Sequence, residues 1–251
     1  MSSLNLSSMN FLRLRPAAAP AFSPEEMERI KSTGFDKDVQ RALDSGANVI
    51  GIYTGGFFPV HNGHVAVVRN SIRSINAVPN KKACVIVMPT FSAYSMRKVP
   101  VDLQQHAAPL ATNHLLLTQI AFLGVESTIV SRFDLELSAF SDYPVTVDLA
   151  ARWIKNVAGD KTVDVCYIAG ADHAIKCVDD TPMPCPVLVA SRPTRQNSDV
   201  PQKFGDIVET GITTDISSTE IRNNVLRGIS VRGRVPNSLV GALETLFPLF
   251  E

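Results

Sequence analysis

Residues 47–72 read ANVIGIYTGGFFPVHNGHVAVVRNSI, and three local patterns follow one another in this stretch. Its start is apolar and rich in β-branched side chains, which is typical of a short strand buried in a sheet. Gly55 and Gly56 come next, and the apolar spacing from Val65 onwards predicts a helix. This order predicts an anion site, because glycines let main-chain amides approach a phosphate and a helix N-terminus adds unpaired N–H groups.

Two histidines stand where the predicted helix begins. His61 and His64 are separated by Asn62 and Gly63. Each imidazole can donate a hydrogen bond to a phosphate oxygen, and Gly63 lets a ligand come close. A glycine pair or a histidine pair alone is usually incidental. The full string between a strand and a helix favours a phosphate site.

A second motif lies near the other end of the chain, where residues 215–222 read DISSTEIR. Ser217 or Ser218 predicts a helix N-cap, and hydroxyls beside free amides form another anion site. Arg222 follows one turn later, and its planar guanidinium can bind a phosphate through two nitrogens. The alternative at this stage is a capped surface helix with a salt-bridged arginine.

The two motifs, HxGH at residues 61–64 and ISSTxIR at residues 216–222, resemble those of the nicotinamide/nicotinate mononucleotide adenylyltransferases, a family of the HxGH nucleotidyltransferase superfamily. The resemblance spans residues 48–247, and Gly170-Ala171-Asp172 matches the family's GxD. Members join ATP to a pyridine mononucleotide, with Mg²⁺ assisting, and release pyrophosphate. The resemblance therefore implies an enzyme that forms NAD or deamido-NAD, and nicotinate and nicotinamide both stay open.

The resemblance also implies a role for particular residues. The catalytic residues would be His61, His64 and Arg222. The residues that bind the ATP phosphates would be Gly55, Gly56, Phe57, Gly63, Ser217, Ser218 and Thr219. Gly170 and Asp172 would bind a nucleoside, and Asp172 is alternatively an N-cap for the next helix. No protein metal ligand is implied, since Mg²⁺ would arrive with ATP.

Several positions depart from the family's pattern. Gly56 stands where the family has Ser or Thr, and Phe58 stands where it has Asp or Asn. The tryptophan that many members place after GxD is missing, so Tyr94 is a candidate to stack on the pyridine, and Trp153 is expected in the core.

Two other functions stay open: transfer to another phosphorylated acceptor, such as phosphopantetheine or a sugar phosphate, and non-catalytic nucleotide binding.

The rest of the chain alternates strand and helix patterns. Further strands are predicted at 84–88, 127–131, 163–169 and 186–190, and a helix with an apolar stripe is predicted around Leu115, Leu116, Ile120 and Leu123. The alternation predicts an α/β fold with a Rossmann-like open, mostly parallel sheet and helices on both faces. Ligands in such sheets bind at the carboxyl ends of the strands, where His61, Tyr94, Asp172 and Arg192 fall. His106 and His114 match no motif and are expected to be ordinary surface or helix residues.

The segment before the first strand is predicted to be separate from the transferase domain. Residues 1–46 form an N-terminal extension with one or two short helices starting after Ser23, and residues 47–251 form the nucleotidyltransferase domain. Residues 1–24 contain Arg13 and Arg15 but no acidic residue, a composition that leaves import into an organelle open.

Composition excludes several other classes of protein. The 251 residues have a net charge of zero, which argues against a nucleic-acid partner, and no apolar run is long enough for a membrane helix. The four cysteines have no CxxC spacing, which argues against a zinc site and favours a reducing compartment. We expect a cytoplasmic protein, with a homo-oligomer left open.

Overall fold

A computed structural model describes residues 22–136, 143–170, 183–190 and 216–247, and the main chain of residues 207–208. The strands are β1 Val49–Gly55, β2 Ala83–Pro89, β3 Thr128–Val130, β4 Asp164–Gly170, β5 Val187–Ala190 and β6 Ile207–Val208. The helices are α1 Pro24–Ser32, α2 Phe35–Asp44, α3 Asn62–Asn76, α4 Ser92–Met96, α5 Ala108–Thr112, α6 His114–Ala121, α7 Phe133–Glu136, α8 Tyr143–Ala158, α9 Ser218–Leu226 and α10 Asn237–Leu246. A short 3₁₀ helix lies at Val101–Leu103.

The six described strands form one sheet in the order β3-β2-β1-β4-β5-β6. Every described pair of neighbouring strands is parallel. The chain moves outward from β1 to β3 and then returns to place β4 on the other side of β1, so the order reverses between β1 and β4. Ligands bind at such a reversal, outside the carboxyl ends of the strands. The predicted Rossmann-like α/β fold is confirmed, although the two-residue β6 was not predicted.

Successive side chains of a strand point to opposite sides of the sheet. Both faces of this sheet are apolar, and helices cover both. Ile50 and Ile52 of β1 pack in one core cluster, which also contains buried residues of α1, α2 and α8. Val49 and Tyr53 pack in a second cluster with residues of α3, α6, α9 and α10. The chain that continues past Gly55 therefore follows a strand that is buried on both faces.

Helix α1 begins after Ser23, as the sequence predicts, and buried residues of both α1 and α2 belong to the first core cluster. Ser23 caps α1 by accepting a hydrogen bond from the Glu26 main-chain N–H at 3.1 Å, and the Glu26 carboxylate accepts one from the Ser23 N–H at 2.9 Å. The Phe35 ring stacks on Phe133 with centroids 4.4 Å apart. Ile30 is fully buried. The helical part of the predicted extension thus shares the core of the sheet.

The apolar stripe predicted along residues 115–123 is wrong in part. Two helices, α5 and α6, meet at Asn113, which restarts the helical register. Leu116 and Leu123 are 52% and 75% exposed. The residues of α6 that face the core are His114, Leu117, Thr118 and Ala121. The segment after β2 contains the short helix α4.

Three of the four cysteines are buried, and Trp153 lies in the core as the sequence predicts. Cys84, Cys166 and Cys185 are buried free thiols, and burial raises the pKa of Cys84 to about 11. Trp153 is 2% exposed and lies in the core. Cys177 lies outside the described residues. None of the helices in the described part of the chain is long and apolar enough to cross a membrane.

Candidate functional site

Residues 55–60, here called the glycine turn, connect β1 to α3. A Cβ on Gly55 would lie only 3.2 Å from Cζ of Phe57, because the Phe57 ring folds back over this glycine. Phe57 has φ 40, a left-handed conformation that bulky residues rarely adopt. Its ring packs against Tyr53 and His64, with centroids 5.0 Å away in both cases. The Phe57 side chain therefore belongs to the core, and only its main chain is available to a ligand.

Three main-chain carbonyls of the glycine turn accept hydrogen bonds from side chains that are distant in sequence. These bonds are His114 Nε2 to Gly56 O at 2.8 Å, Arg222 Nη1 to Phe58 O at 3.0 Å, and Ser218 Oγ to Pro59 O at 3.0 Å. Two of the donors come from the second motif. The second motif is therefore in direct contact with the glycine turn, which leads from the carboxyl end of β1 to the first motif.

Arg222 is 2% exposed and joins three segments. Besides Phe58, it donates from Nη2 to the Lys98 carbonyl at 3.0 Å and to Thr219 Oγ1 at 3.3 Å. Burial lowers the pKa of its guanidinium. The alternative of a salt-bridged surface arginine is wrong, because these described partners of Arg222 are main-chain carbonyls and a hydroxyl. Arg222 thus links the turn after β1 to the segment after β2.

The start of α9 confirms the predicted cap. Ser217 has an extended main chain, and its Oγ accepts a hydrogen bond from the Glu220 N–H at 3.1 Å. Ser218 lies half-buried against the glycine turn, whereas Ser217 and Thr219 are exposed. The first main-chain amides of a helix have no intrahelical partner and carry its positive dipole end. This helix start can therefore bind an anion beside the glycine turn.

The two motif histidines stack on each other at the start of α3, with ring centroids 3.7 Å apart and an interplanar angle of 21°. His64 Nδ1 accepts a hydrogen bond from the His61 main-chain N–H at 3.2 Å. A neutral His64 therefore carries its proton on Nε2, the nitrogen that can donate to a phosphate. His61 is 2% exposed, whereas His64 is only half-buried, so His64 is the more accessible of the two.

Gly63 is required for a reason that the sequence does not show. A Cβ at this position would lie 2.9 Å from both Cε1 and Nδ1 of the His61 ring. Any side chain at residue 63 would therefore displace the histidine stack. The close approach that we predicted for a ligand is, in the structure, a close approach of His61.

Tyr94 lies on α4, which begins three residues beyond the carboxyl end of β2. Its ring is half-buried, and Lys98 Nζ lies 4.4 Å from the ring centroid. Ser95 Oγ, on the same helix, is buried and would lie 3.7 Å from a Cβ on Gly56. Helix α4 therefore lies beside the glycine turn.

His114 is a contact of the site that sequence reasoning missed. It is 2% exposed, and its Nδ1 lies 3.1 Å from Ser92 Oγ while Nε2 faces the Gly56 carbonyl. Burial lowers the pKa of His114 to about 4. The expectation of an ordinary surface or helix residue is wrong. No motif contains His114, so the only feature of the sequence that could have indicated its burial is the run of apolar residues that follows it.

Asp134 is a second buried polar residue near the carboxyl ends of the strands. Its carboxylate accepts hydrogen bonds from Thr54 Oγ1 at 3.1 Å and from Thr146 Oγ1 at 3.5 Å. Burial raises the pKa of Asp134 to about 6, and the hydroxyls of Thr54, Thr146 and Thr90 oppose that rise. The residue thus links the ends of β1 and β2 to the first turn of α8.

The remaining predicted residues are only partly described. Gly170 ends β4, the neighbour of β1. Asp172 and Arg192 lie outside the described residues. No group of three or more metal-ligating side chains occurs in the part of the chain that the structure describes.

No family model matches this chain, and no curated protein matches it in sequence. The fold is similar to that of the nicotinic acid mononucleotide adenylyltransferase of Plasmodium falciparum complexed with NaAD, with a TM-score of 0.52 and 14% identity over 81% of this chain and 98% of that one. The same enzyme complexed with APC gives a TM-score of 0.51, also at 14% identity, over 81% of this chain and 98% of that one. At this identity the similarity is one of fold.

Proposed function

We propose that this protein is an adenylyltransferase that joins ATP to nicotinate or nicotinamide mononucleotide. The observation that supports it best is the contact between the glycine turn and the second motif, in which Arg222 and Ser218 donate hydrogen bonds to the carbonyls of Phe58 and Pro59. The two segments that the sequence predicts to bind phosphate therefore lie side by side at the carboxyl end of β1. The similarity in fold to the Plasmodium enzyme supports the same reaction.

ATP lies with its phosphates between the glycine turn and the start of α9. Main-chain amides of Gly55, Gly56, Phe57 and Gly63 and the hydroxyls of Ser217, Ser218 and Thr219 surround these phosphates. His64 donates from Nε2 to a phosphate oxygen on which negative charge develops, with His61 stacked behind it. Arg222 Nε, buried and without a hydrogen-bond partner among the described residues, is the donor that this residue offers to ATP.

The reaction needs no protein nucleophile, because such transfers depend on positioning and on stabilisation of charge. An oxygen of the mononucleotide 5′-phosphate forms a bond to the α-phosphorus of ATP. The bond from that phosphorus to the oxygen shared with the β-phosphate breaks, and pyrophosphate leaves with the electron pair. Mg²⁺ enters with ATP as part of the substrate. Tyr94 stacks on the pyridine, and Gly170 and Asp172 bind a nucleoside.

The test is an end-point assay with ATP, Mg²⁺ and each pyridine mononucleotide, in which the dinucleotide and pyrophosphate are both quantified. We expect equal amounts of the two products with at least one mononucleotide. Parallel reactions with phosphopantetheine and with a sugar phosphate identify a different acceptor. ATP binding without product from any of these acceptors would contradict the proposal and favour a non-catalytic nucleotide-binding protein.

A further inference from the structure

The glycine turn has no polar side chain at any of its residues, and His114 contacts it at Gly56 and Phe58. The Nε2 of His114 lies 2.8 Å from the Gly56 carbonyl oxygen. The edge of its ring packs against the Phe58 ring, with centroids 5.2 Å apart and an interplanar angle of 77°. His114 of α6 thus provides the polar contact to the glycine turn that the side chains of the turn cannot provide.

The hydrogen bonds of His114 determine which nitrogen carries the proton. A carbonyl oxygen can only accept, so Nε2 must be protonated and must donate to Gly56 O. Nδ1 then accepts from the Ser92 hydroxyl, 3.1 Å away. With its pKa lowered to about 4 by burial, His114 stays neutral near pH 7. The imidazole is therefore held in one tautomer between two fixed partners.

The direction of the Gly56 carbonyl determines the direction of the next amide. The Gly56–Phe57 peptide bond is trans, and in a trans peptide the C=O and N–H bonds point in opposite directions. Holding the carbonyl toward His114 therefore turns the Phe57 N–H away from α6. The left-handed Phe57, with φ 40, resembles the turns whose successive N–H groups converge on an anion.

We propose that His114 is a positioning residue of the nucleotide site, which directs the Phe57 N–H at the ATP phosphates by holding the Gly56 carbonyl. This inference rests on the proposed function. Ser92 extends the effect to α4, the helix that contains Tyr94. His114 therefore contacts both the glycine turn, which binds ATP in the proposed function, and α4, which binds the mononucleotide.

Two substitutions of His114 separate this role from a purely structural one. In His114→Gln the amide nitrogen lies near the former position of Nε2 and keeps the donation to Gly56 O. In His114→Asn the shorter amide lies near the former Nδ1 and keeps only the contact with Ser92. Both variants put a polar amide in the same buried place. The same pair of substitutions at His106, which is exposed, is the control.

The measurements are ATP affinity by titration calorimetry and the temperature of unfolding. We expect His114→Asn to weaken ATP binding about tenfold, the order expected when a buried carbonyl loses its donor, and His114→Gln to bind within about threefold of the wild type. A purely structural role would lower the unfolding temperature in both variants and leave their ATP affinities equal. Equal affinities would therefore overturn the inference.

Amide hydrogen exchange of residues 55–60 distinguishes a failure of this inference from a failure of the proposed function. If the wild type binds no ATP, the proposed function fails and exchange decides the role of His114. Faster exchange at Phe57 in His114→Asn than in His114→Gln would support positioning of the turn. Identical exchange in the two variants would overturn it.

Discussion

Single side chains at the carboxyl end of β1 bind main-chain groups that lie far away in sequence. His114 donates to Gly56 across 58 positions, and Arg222 donates to Phe58 across 164 positions. Each of these donors is almost fully buried. A buried carbonyl that loses its donor costs about 1–3 kcal/mol. Changes at these residues should therefore affect both stability and ligand binding.

His64→Ala should lower kcat about a hundredfold or more, the usual effect of removing one preorganised donor to developing charge. Folding should survive, because the His64 side chain is only half-buried. Steady-state kinetics of this variant and of His106→Ala, an exposed histidine, provide the measurement and its control. Near-normal turnover of a well-folded His64→Ala would contradict the assignment.

Arg222→Lys should not be conservative, since an ammonium group cannot reproduce the planar set of donors. The substitution leaves at least one of the Phe58 and Lys98 carbonyls without its donor. We expect the free energy of unfolding to fall by about 2 kcal/mol and the KM for ATP to rise, with little change in the KM for the mononucleotide. Urea denaturation and kinetics measure both effects. If neither quantity changes, the contacts of Arg222 are unimportant.

At the scale of elements, three helix starts surround the same strand end. Helix α3 begins with the stacked histidines, α9 begins with the Ser217 cap, and α4 follows β2 beside the glycine turn. Arg222 ties α9 to the glycine turn through the Phe58 carbonyl and to the segment just after α4 through the Lys98 carbonyl. The positive ends of α3 and α9 favour an anion, whereas α4 offers an aromatic ring.

Tyr94→Ala should weaken mononucleotide binding about fivefold, because a stacking contact is worth about 1 kcal/mol. ATP binding should be nearly unchanged, while Tyr94→Phe should retain both affinities since it keeps the ring. Titration of each ligand into each variant makes the measurement. Equal losses for both ligands would mean that α4 has collapsed, and no loss would exclude Tyr94 as the stacking residue.

At the scale of the whole molecule, two core clusters lie on opposite faces of the sheet, and each contains helices from distant parts of the chain. The first contains α1 and α2 from the start of the described chain together with α8. The second contains α3, α6 and the two last helices. Asp134 is buried near the first cluster and His114 near the second. Stability therefore depends on ionisable groups on both faces.

Deletion of residues 1–21 should leave kinetic constants and stability unchanged, because both motifs lie after residue 48. Deletion of residues 1–46 should prevent stable folding, since it removes Ile30, Phe35 and Val39 from the core. Each large buried apolar side chain lost costs about 2–5 kcal/mol. Urea denaturation and steady-state kinetics of the two truncated proteins test both predictions. A stable, active protein lacking residues 1–46 would show that α1 and α2 are dispensable.

Asp134 and His114 should have opposite effects on stability below neutral pH. Asp134, whose pKa is raised from 3.8 to about 6, stabilises the folded state at low pH and loses this effect as the pH rises through 6. His114, whose pKa is lowered from 6.5 to about 4, stabilises the folded state above pH 6.5 and loses this effect as the pH falls toward 4. The two contributions oppose each other between about pH 4 and 6.

Asp134→Asn should therefore lose more stability than the wild type on acidification from pH 6.5 to 4, by up to about 3 kcal/mol. His114→Gln should lose less stability than the wild type over the same change in pH. Urea denaturation of the three proteins at several pH values in this range measures both. Parallel pH profiles for all three proteins would show that neither group titrates as its burial predicts.

Local chemistry determined much of this protein in advance. The strand, the glycine turn and the helix at residues 47–72, the Ser217 cap and the helix start after Ser23 follow from periodicity and capping, which act over a few residues. Only the tertiary structure decided that Arg222 binds two main-chain carbonyls and that His114 supports the glycine turn. These contacts depend on how the sheet order and the packing of α6 and α9 place distant residues side by side. No local pattern encodes them, because a buried donor and its acceptor need no fixed spacing in sequence.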